Sequence, residues 1–334
     1  MLSLDGSDAG GQPLRTALSL SVCTDTSFCM ENVRADRPDP GLKPAHCAAV
    51  DLLAAACDAD VEGGDLDSET VVFEPGDGPR EDALAVDVGT AGSVTLLADA
   101  LVPLATVLDD PLSATLVGGT DVTWSPPTDY LRRVKLPLLH ECGLDADVTV
   151  ERRGFYPVGG GRLAVDLRPS TLDPLELAER GDGESLTVHA VESESLADAD
   201  VAARMAASVE EGVSLPVETR TETAASDSPG AVVTLAAATT RSRAGFSALG
   251  ERGVPAETVG ERAVERFESW RTGEAAVDAH LGDQSLLWLA LAGGEVSMPT
   301  ETAHVRSNVE TIRAFGFDVR RVGVEEEGAV RYCA

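Results

Sequence analysis

Five histidines, at positions 46, 140, 189, 280 and 304, supply the side chains of this 334-residue chain that ordinarily titrate near neutral pH. His304 has the surroundings best suited to chemistry. It follows a Pro-Thr-Glu-Thr turn (299–302) and opens an amphipathic stretch, with Asn308 one helical turn further on and able to orient the ring. His280 sits in HLGDQ, three residues before Asp283. Arginines gather early in the chain, with Arg15 followed by Arg34 and Arg37 in VRADRPDPGL (33–42). A guanidinium fork binds phosphate through paired hydrogen bonds, so this trio is either an anion site or a set of ion pairs with Asp36 and Asp39. The chain holds no HExxH, no GxSxG and no Ser-His-Asp grouping, which removes metalloprotease and serine-hydrolase chemistry.

Two glycine-rich segments could place backbone N–H groups at an anion. DVGTAGS (87–93) immediately precedes an apolar helical stretch, the arrangement that aims a helix N-terminus at negative charge, although no Gly-Lys-Ser/Thr follows. RRGFYPVGGGRL (152–163) contains three consecutive glycines, which suit close backbone approach to an anion or, equally, a tight turn or bulge in a sheet.

These residues must be positioned by an α/β scaffold. Three segments begin with a glycine-containing loop followed by an apolar helix, at 8–21, 87–104 and 281–294. Each leads to a second helix, at 44–61, 129–148 and 304–319, with buried stripes such as Val50, Leu53 and Ala54 or Leu131, Val134 and Leu138. An acid and a valine after each second helix read as the start of another strand. Three similar α/β units are therefore expected. Residues 182–272 break the pattern, with strands at 186–191 and 231–239, helices at 197–213 and 255–273, and a Ser-rich turn at 223–230. The expected organisation is a three-repeat domain of 1–181 plus 273–334, interrupted by an α/β module of 182–272.

Composition sets the setting. Fifty-seven acidic residues against twenty-six basic ones give a formal charge of −31, spread along the whole chain, and only Lys43 and Lys135 are lysines. At about 1 M salt the Debye length falls to roughly 3 Å, so such a surface suits a concentrated-salt cytoplasm. The same screening leaves a polyanionic partner possible despite the acidity. Six scattered cysteines without a CxxC indicate reduced thiols rather than a disulfide framework or zinc site. The first residues, MLSLDGSDAGGQ, carry neither a basic leader nor an apolar core, and no long apolar run occurs, so a cytoplasmic protein is expected.

In order along the chain, DGS…GGQxLRTALSLS (5–21), VRADRxDPGL (33–42), DVGTAGS (87–93), GGT…SPPTDYLRRV (118–134), RGFYPVGGG (153–161), HLGDQSLLxLALAGG (280–294) and HVRSN (304–308) resemble the RNA 3′-terminal-phosphate cyclases. The resemblance spans nearly the whole chain. It implies three βαβαββ-like repeats similar to the C-terminal domain of translation initiation factor three, with a small inserted α/β domain. It also implies ATP as cofactor and an RNA 3′-phosphate as substrate. His304 would form a covalent histidine–AMP and pass the AMP to RNA, after which the 2′-hydroxyl closes a 2′,3′-cyclic phosphate. Arg15, Arg34 and Arg37 would sit near the phosphates. Ala279, His280, Leu281, Gly282 and Asp283 would form the nucleotide-contacting segment, with His280 stacked on adenine opposite Pro126 and Tyr130 lining the same pocket. A divalent cation, Mg²⁺ or Mn²⁺, would assist. The chain departs from the family pattern in its first loop, DGSDAGGQ, which is two residues shorter and lacks a glutamate that serves as a metal residue there; Asp8 is the available substitute. Ala45 and Asp99 stand where the family has glutamines. A non-catalytic, RNA-binding relative is the alternative, and an enolpyruvyl transferase would need a longer chain with more clustered Lys and Arg.

Overall fold

The computed structural model describes residues 1–7, 11–78, 82–323 and 328–334. β1 (Leu2–Asp5) leads through α1 (Gly11–Thr24) to β2 (Phe28–Glu31), then through α2 (Pro44–Cys57) to β3 (Asp60–Glu62) and β4 (Val71–Glu74). β1 and β2 pair in parallel, which a tight turn cannot achieve, and α1 makes the crossover. β4 then inserts antiparallel between β2 and β3, giving the order β1-β2-β4-β3.

The same order recurs. β5 (Ala83–Asp87), α3 (Val94–Leu101), β6 (Leu112–Gly118), a helical segment, β7 (Ala146–Arg152) and β8 (Gly161–Leu167) form the sheet β5-β6-β8-β7. That helical segment is α4 (Thr128–Tyr130), a π turn (Leu131–Lys135) and α5 (Leu136–Glu141). The widened turn falls where Pro137, lacking an N–H, cannot bond the carbonyl four residues back. β9 (Leu175–Leu177) then leaves the second unit, and its partners come only after a long excursion.

The excursion is a fourth sheet. β10 (Ser185–Ser193), α6 (Val201–Gly212), β11 (Val217–Ala224), β12 (Ala231–Ala238), β13 (Arg243–Leu249) and α7 (Ala256–Thr272) give the order β11-β10-β12-β13. It has a core of its own around Met205, Val209, Leu235, Phe246, Phe267 and Trp270. Three of these pack as an aromatic group, with Phe246 centred 5.7 Å from Phe267 and 5.5 Å from Trp270. The chain returns through α8 (Ala279–Ala292), β14 (Gly294–Met298), α9 (Ala303–Ala314), β15 (Arg320–Val322) and β16 (Val330–Cys333). Their sheet, β15-β16-β14-β9, is the pattern of the first two units taken from the opposite edge, and all three units share one hydrophobic core.

Several polar contacts tie the fourth sheet to the rest, and two of them each centre on one arginine with three or more partners. Arg180, just before β10, donates to the backbone carbonyls of Trp270, Arg271, Gly273 and Ala275 at 2.7–3.2 Å, and its guanidinium lies 3.9 Å over the Trp270 ring. Arg153, between β7 and β8, is 2% exposed and meets Asp121 at 3.2 Å, Asp129 at 2.7 Å and Glu222 of β11 at 3.1 Å. Burial alone would lower the Arg153 pKa, but the three carboxylates outweigh it and hold the guanidinium charged.

The glycine-rich RGFYPVGGG segment is a turn, not an anion cradle. Gly159 adopts φ +75°, its N–H donates to the Phe155 carbonyl, and a Cβ there would fall 2.8 Å from the Ala91 Cα. This glycine therefore lets the turn pack directly onto the 87–93 loop. That loop spends its own polar groups internally. Gly89 N–H donates to Asp87, Gly92 N–H to Thr90, and Ser93 caps α3 by accepting from the Leu96 N–H.

Candidate functional site

A cavity of about 740 Å³ opens where α1, α3, α8 and α9 meet the end of β13. One face of α1 lines it with Gln12, Arg15, Thr16 and Ser19, residues at the three- and four-residue spacing of a helical ridge. α3 adds Leu96 and Asp99, α8 adds His280, Asp283 and Gln284, and α9 adds His304 and Asn308. Pro126, Tyr130 and Lys135 come from the second unit, while Arg262 and Arg266 come from α7 of the fourth sheet.

His304 is exposed at the second position of α9, whose start is capped by Thr302 accepting from the Val305 N–H. Its imidazole makes no hydrogen bond among the described residues. Asn308 does not hold it, contrary to the sequence expectation. The Asn308 amide is 1% exposed; its oxygen accepts from Thr16 Oγ1 at 2.7 Å and its nitrogen donates to the Asp283 carbonyl at 3.4 Å. Asn308 thus joins α1, α8 and α9 behind the histidine. Asp283 is held from another side by Gln12 Nε2, which donates at 2.8 Å. Burial raises the Asp283 pKa, opposed by the Gln12 hydrogen bond and by the charges of His304, Arg15 and His280.

α8 begins at a strong cap. Asp278, 4% exposed, accepts from the N–H groups of His280 and Leu281 and from the Tyr130 hydroxyl at 2.9 Å. Tyr130 is 1% exposed, and burial, then the Asp278 charge, keeps its phenol protonated. The exposed His280 ring stands edge-on to Tyr130, with centroids 6.3 Å apart at 88°. Ala279 is exposed beside it, whereas Leu281 is 1% exposed and points into the core, and Gly282 packs on Met298. Leu281, Gly282 and Ala279 therefore carry the cavity residues rather than lining it.

Positive charge concentrates around the start of α1. Arg15 lines the cavity and forms no salt bridge among the described residues; burial lowers its pKa, against the pull of Asp99 and Asp283. Arg34 and Arg37 lie outside the cavity lining. Arg34 Nη2 reaches the Asp39 carbonyl at 3.5 Å, its Nε is buried without a partner, and neither arginine makes a carboxylate ion pair among the described residues. His46 escaped sequence reasoning as a member of this group. Its Nδ1 accepts the Lys43 N–H at 3.0 Å, so a neutral ring carries its proton on Nε2, which faces Gly11. Burial, then the charges of Arg15, Arg34 and Lys43, pushes its pKa down to about 3. A Cβ on Gly11 would fall 2.4 Å from that nitrogen, so only glycine admits the ring and Arg15 so close to the helix start.

Further residues emerge only from the fold. Lys135 Nζ pairs with Asp99 at 2.9 Å, so the acid that stands in place of the family's glutamine is neutralised by one of the chain's two lysines. Gln284 lines the cavity with its side-chain oxygen buried and unpartnered. Trp124, at the cavity rim, is 99% exposed with φ +70°, a backbone state that costs on the order of 1–3 kcal/mol for a non-glycine residue. No group of three His, Cys, Asp or Glu side chains able to hold a metal ion occurs among the described residues, and Asp8 lies outside them.

A solvent-reachable imidazole and a guanidinium without a salt bridge among the described residues, in one cavity large enough for a nucleotide, suit attack on a phosphorus centre. Comparison with known proteins points the same way. A family model described as RNA 3′-terminal phosphate cyclase matches residues 7–320. A Halobacterium salinarum protein named RNA 3′-terminal phosphate cyclase is 46% identical over 337 residues, covering 98% of each chain. Proteins of the same name from Pyrococcus furiosus and Metallosphaera sedula are each 38% identical, the first covering 99% of this chain and 98% of its own, the second 94% of both. The chain belongs to the RNA 3′-terminal phosphate cyclase family.

Proposed function

We propose that this protein uses ATP to convert an RNA 3′-terminal phosphate into a 2′,3′-cyclic phosphate, with His304 as the residue that carries AMP. The observation that supports this most directly is the exposed His304 ring in the same cavity as Arg15, the ring without a hydrogen bond and the guanidinium without a salt bridge among the described residues. The imidazole nitrogen attacks the α-phosphorus of ATP, the bond to the β-phosphate oxygen breaks, and pyrophosphate leaves. The RNA 3′-phosphate then takes the AMP from His304, giving a phosphoanhydride. Finally the 2′-hydroxyl attacks the RNA phosphorus, loses its proton and expels AMP. A phosphate monoester lacks a good leaving group, so this activation makes the ring closure feasible.

Within this reading Arg15 faces the phosphates and offsets the charge that develops in each transfer. Arg34 and Arg37 add positive potential behind it. Asp283, fixed by Gln12, and Asn308, fixed by Thr16, set the position of α9 and hence of His304. His280 and Pro126 take the two faces of adenine, with Tyr130 holding His280 from below through the Asp278 cap. The divalent cation that the resemblance implies is routed through no step here, and Asp8, its candidate ligand, lies outside the described residues. Residues 182–272 act as an inserted unit that contributes one wall of the cavity. The charge of −31 fits a protein working in concentrated salt, in a cytoplasm.

The test is incubation with ATP labelled at the α-phosphate and a divalent metal in molar KCl, followed by denaturing electrophoresis. A labelled, acid-labile protein band that is discharged by 3′-phosphorylated RNA, and not by 3′-hydroxyl RNA, is expected. His304→Ala should lose the band and keep its thermal midpoint, since the ring makes no hydrogen bond among the described residues. A label retained in that variant would remove His304 as nucleophile. No label in folded wild type would favour an RNA-binding role without catalysis.

A further inference from the structure

Of the chain's three tryptophans, Trp270 and Trp288 are 4% and 1% exposed, whereas Trp124 is 99% exposed. Trp124 makes no ring–ring or cation–π contact among the described residues, so the folded state gains nothing visible from its indole. The segment that carries it is nevertheless firmly held. Thr95 Oγ1 donates to the Pro126 carbonyl at 2.8 Å, Ser125 Oγ to the Val122 carbonyl at 3.2 Å, and the Thr128 N–H to Asp121 at 3.1 Å. Arg153 in turn pins Asp121. A slack surface loop would relax away from φ +70° and lay the ring down; this one keeps the strained backbone and holds the ring out at the rim of the cavity that contains His304.

We propose that Trp124 is the stacking platform for the base of the RNA's 3′-terminal nucleotide, an inference that rests on the reading under Proposed function. That reaction must bring two bases to one cavity, the adenine of ATP and the terminal base of the RNA. His280 and Pro126 are assigned to the first. Trp124, two residues before Pro126 on the same clamped segment, is the remaining exposed aromatic face at the cavity. An indole stacks on any base, because every base presents a π face, so the contact positions the RNA end without selecting its sequence. A terminal base fixed on a rigid platform also fixes the attached ribose, which carries both the 3′-phosphate and the 2′-hydroxyl of the reaction. Trp124 is in this sense a substrate-binding residue that orients the end to be closed.

The test uses the full-length protein and two 3′-phosphorylated RNAs that differ only at the last nucleotide, one with its base and one abasic. Trp124→Ala should raise the KM for the base-bearing RNA by about tenfold or more, the range that ring–base stacking gives on alanine substitution. It should leave histidine labelling by ATP alone unchanged and have no effect on the abasic RNA, while Trp124→Phe should recover most of the loss. If the alanine variant folds poorly, wild type decides by fluorescence. With the other two tryptophans buried, iodide quenching reads Trp124, and the base-bearing RNA should protect it where the abasic RNA does not. An unchanged KM, an equal rise on abasic RNA, slowed histidine labelling without RNA, or equal protection by both RNAs would overturn the proposal. Failure of wild type to become labelled or to cyclise either RNA would instead sink the cyclase reading beneath it.

Discussion

Replacing Arg153 with methionine should cost this protein about 4 kcal/mol of stability, the middle of the range for removing one partner of a buried ion pair. The figure follows from what is left behind. Asp121 and Asp129 are 2% exposed each; without the guanidinium Asp121 is buried with no ion-pair partner among the described residues, and Asp129 keeps only the looser contact with Arg132 at 3.8 Å. Asp121 retains donors in Thr120 Oγ1 and the Thr128 N–H, so the loss should not exceed the upper end of that range. An unfolding entropy of about 2.1 cal/mol/K per residue over 334 residues gives about 0.7 kcal/mol/K, so the thermal midpoint should fall by about 6 °C. Circular dichroism at fixed molar KCl reads it. Glu222 is the internal control: its side chain is 52% exposed, and Glu222→Gln should cost less than about 1 kcal/mol because water solvates what remains. Adding Asp121→Asn and Asp129→Asn to the methionine variant should restore part of the midpoint by removing the stranded charges. A fall of less than 1 °C in Arg153→Met, or an equal fall in Glu222→Gln, would refute the reasoning.

Two other perturbations are sharp. His46 has its pKa pushed from 6.5 to about 3, so between those values the unfolded chain binds more protons than the native one. Stability should therefore rise with pH across that window and flatten above it, by up to about 1.4 kcal/mol per pH unit from this group. In denaturant titrations at pH 5 and pH 8, His46→Gln should reduce the pH-dependent difference, and an identical difference in both proteins would refute the assignment. Gly245→Ala places a Cβ 2.5 Å from ring carbons of Tyr130, which is already bonded to Asp278, so β13 or the ring must shift at a cost of about 1–3 kcal/mol. Its midpoint should drop and its KM for ATP rise, whereas Gly273→Ala, with no contact closer than 3.4 Å, should do neither.

The helices were legible because their stripes are local. Val50 and Leu53 in α2 are 1% and 0% exposed, Leu131, Val134 and Leu138 are buried as their spacing implies, and α9 starts where the turn before His304 suggested. β11 was not legible. Its sequence VETRTETA has no fully buried residue, because it is an edge strand whose pairing with β10 is made by backbone rather than by apolar side chains. β13 escaped for a related reason, since RAGFSAL is built of small residues that carry little strand signal. At the site, His304, His280, Pro126, Tyr130, Asp283 and Arg15 do share one cavity. The contacts that fix them were hidden by sequence distance. Gln12 and Asp283 are 271 residues apart, Thr16 and Asn308 are 292 apart, and no local pattern encodes such pairs. Asp99 was noticed as a substitution, but its partner Lys135 could have been suspected only from the rarity of lysine in the chain.

The Arg180 clasp carries a topological consequence. The chain leaves the third repeat after β9, at Arg180, and comes back through 270–275, and one guanidinium grips that returning backbone at four carbonyls. Outgoing and incoming segments are thus neighbours, so the ninety-odd residues between them open and close at one place in the strand order of the other three sheets. Lengthening or trimming that stretch rewires no strand order in the other three sheets, and its loop-closure cost grows only with the logarithm of its length. A change of length there alters this wall of the cavity, with Arg262 and Arg266, and not the helix that carries His304.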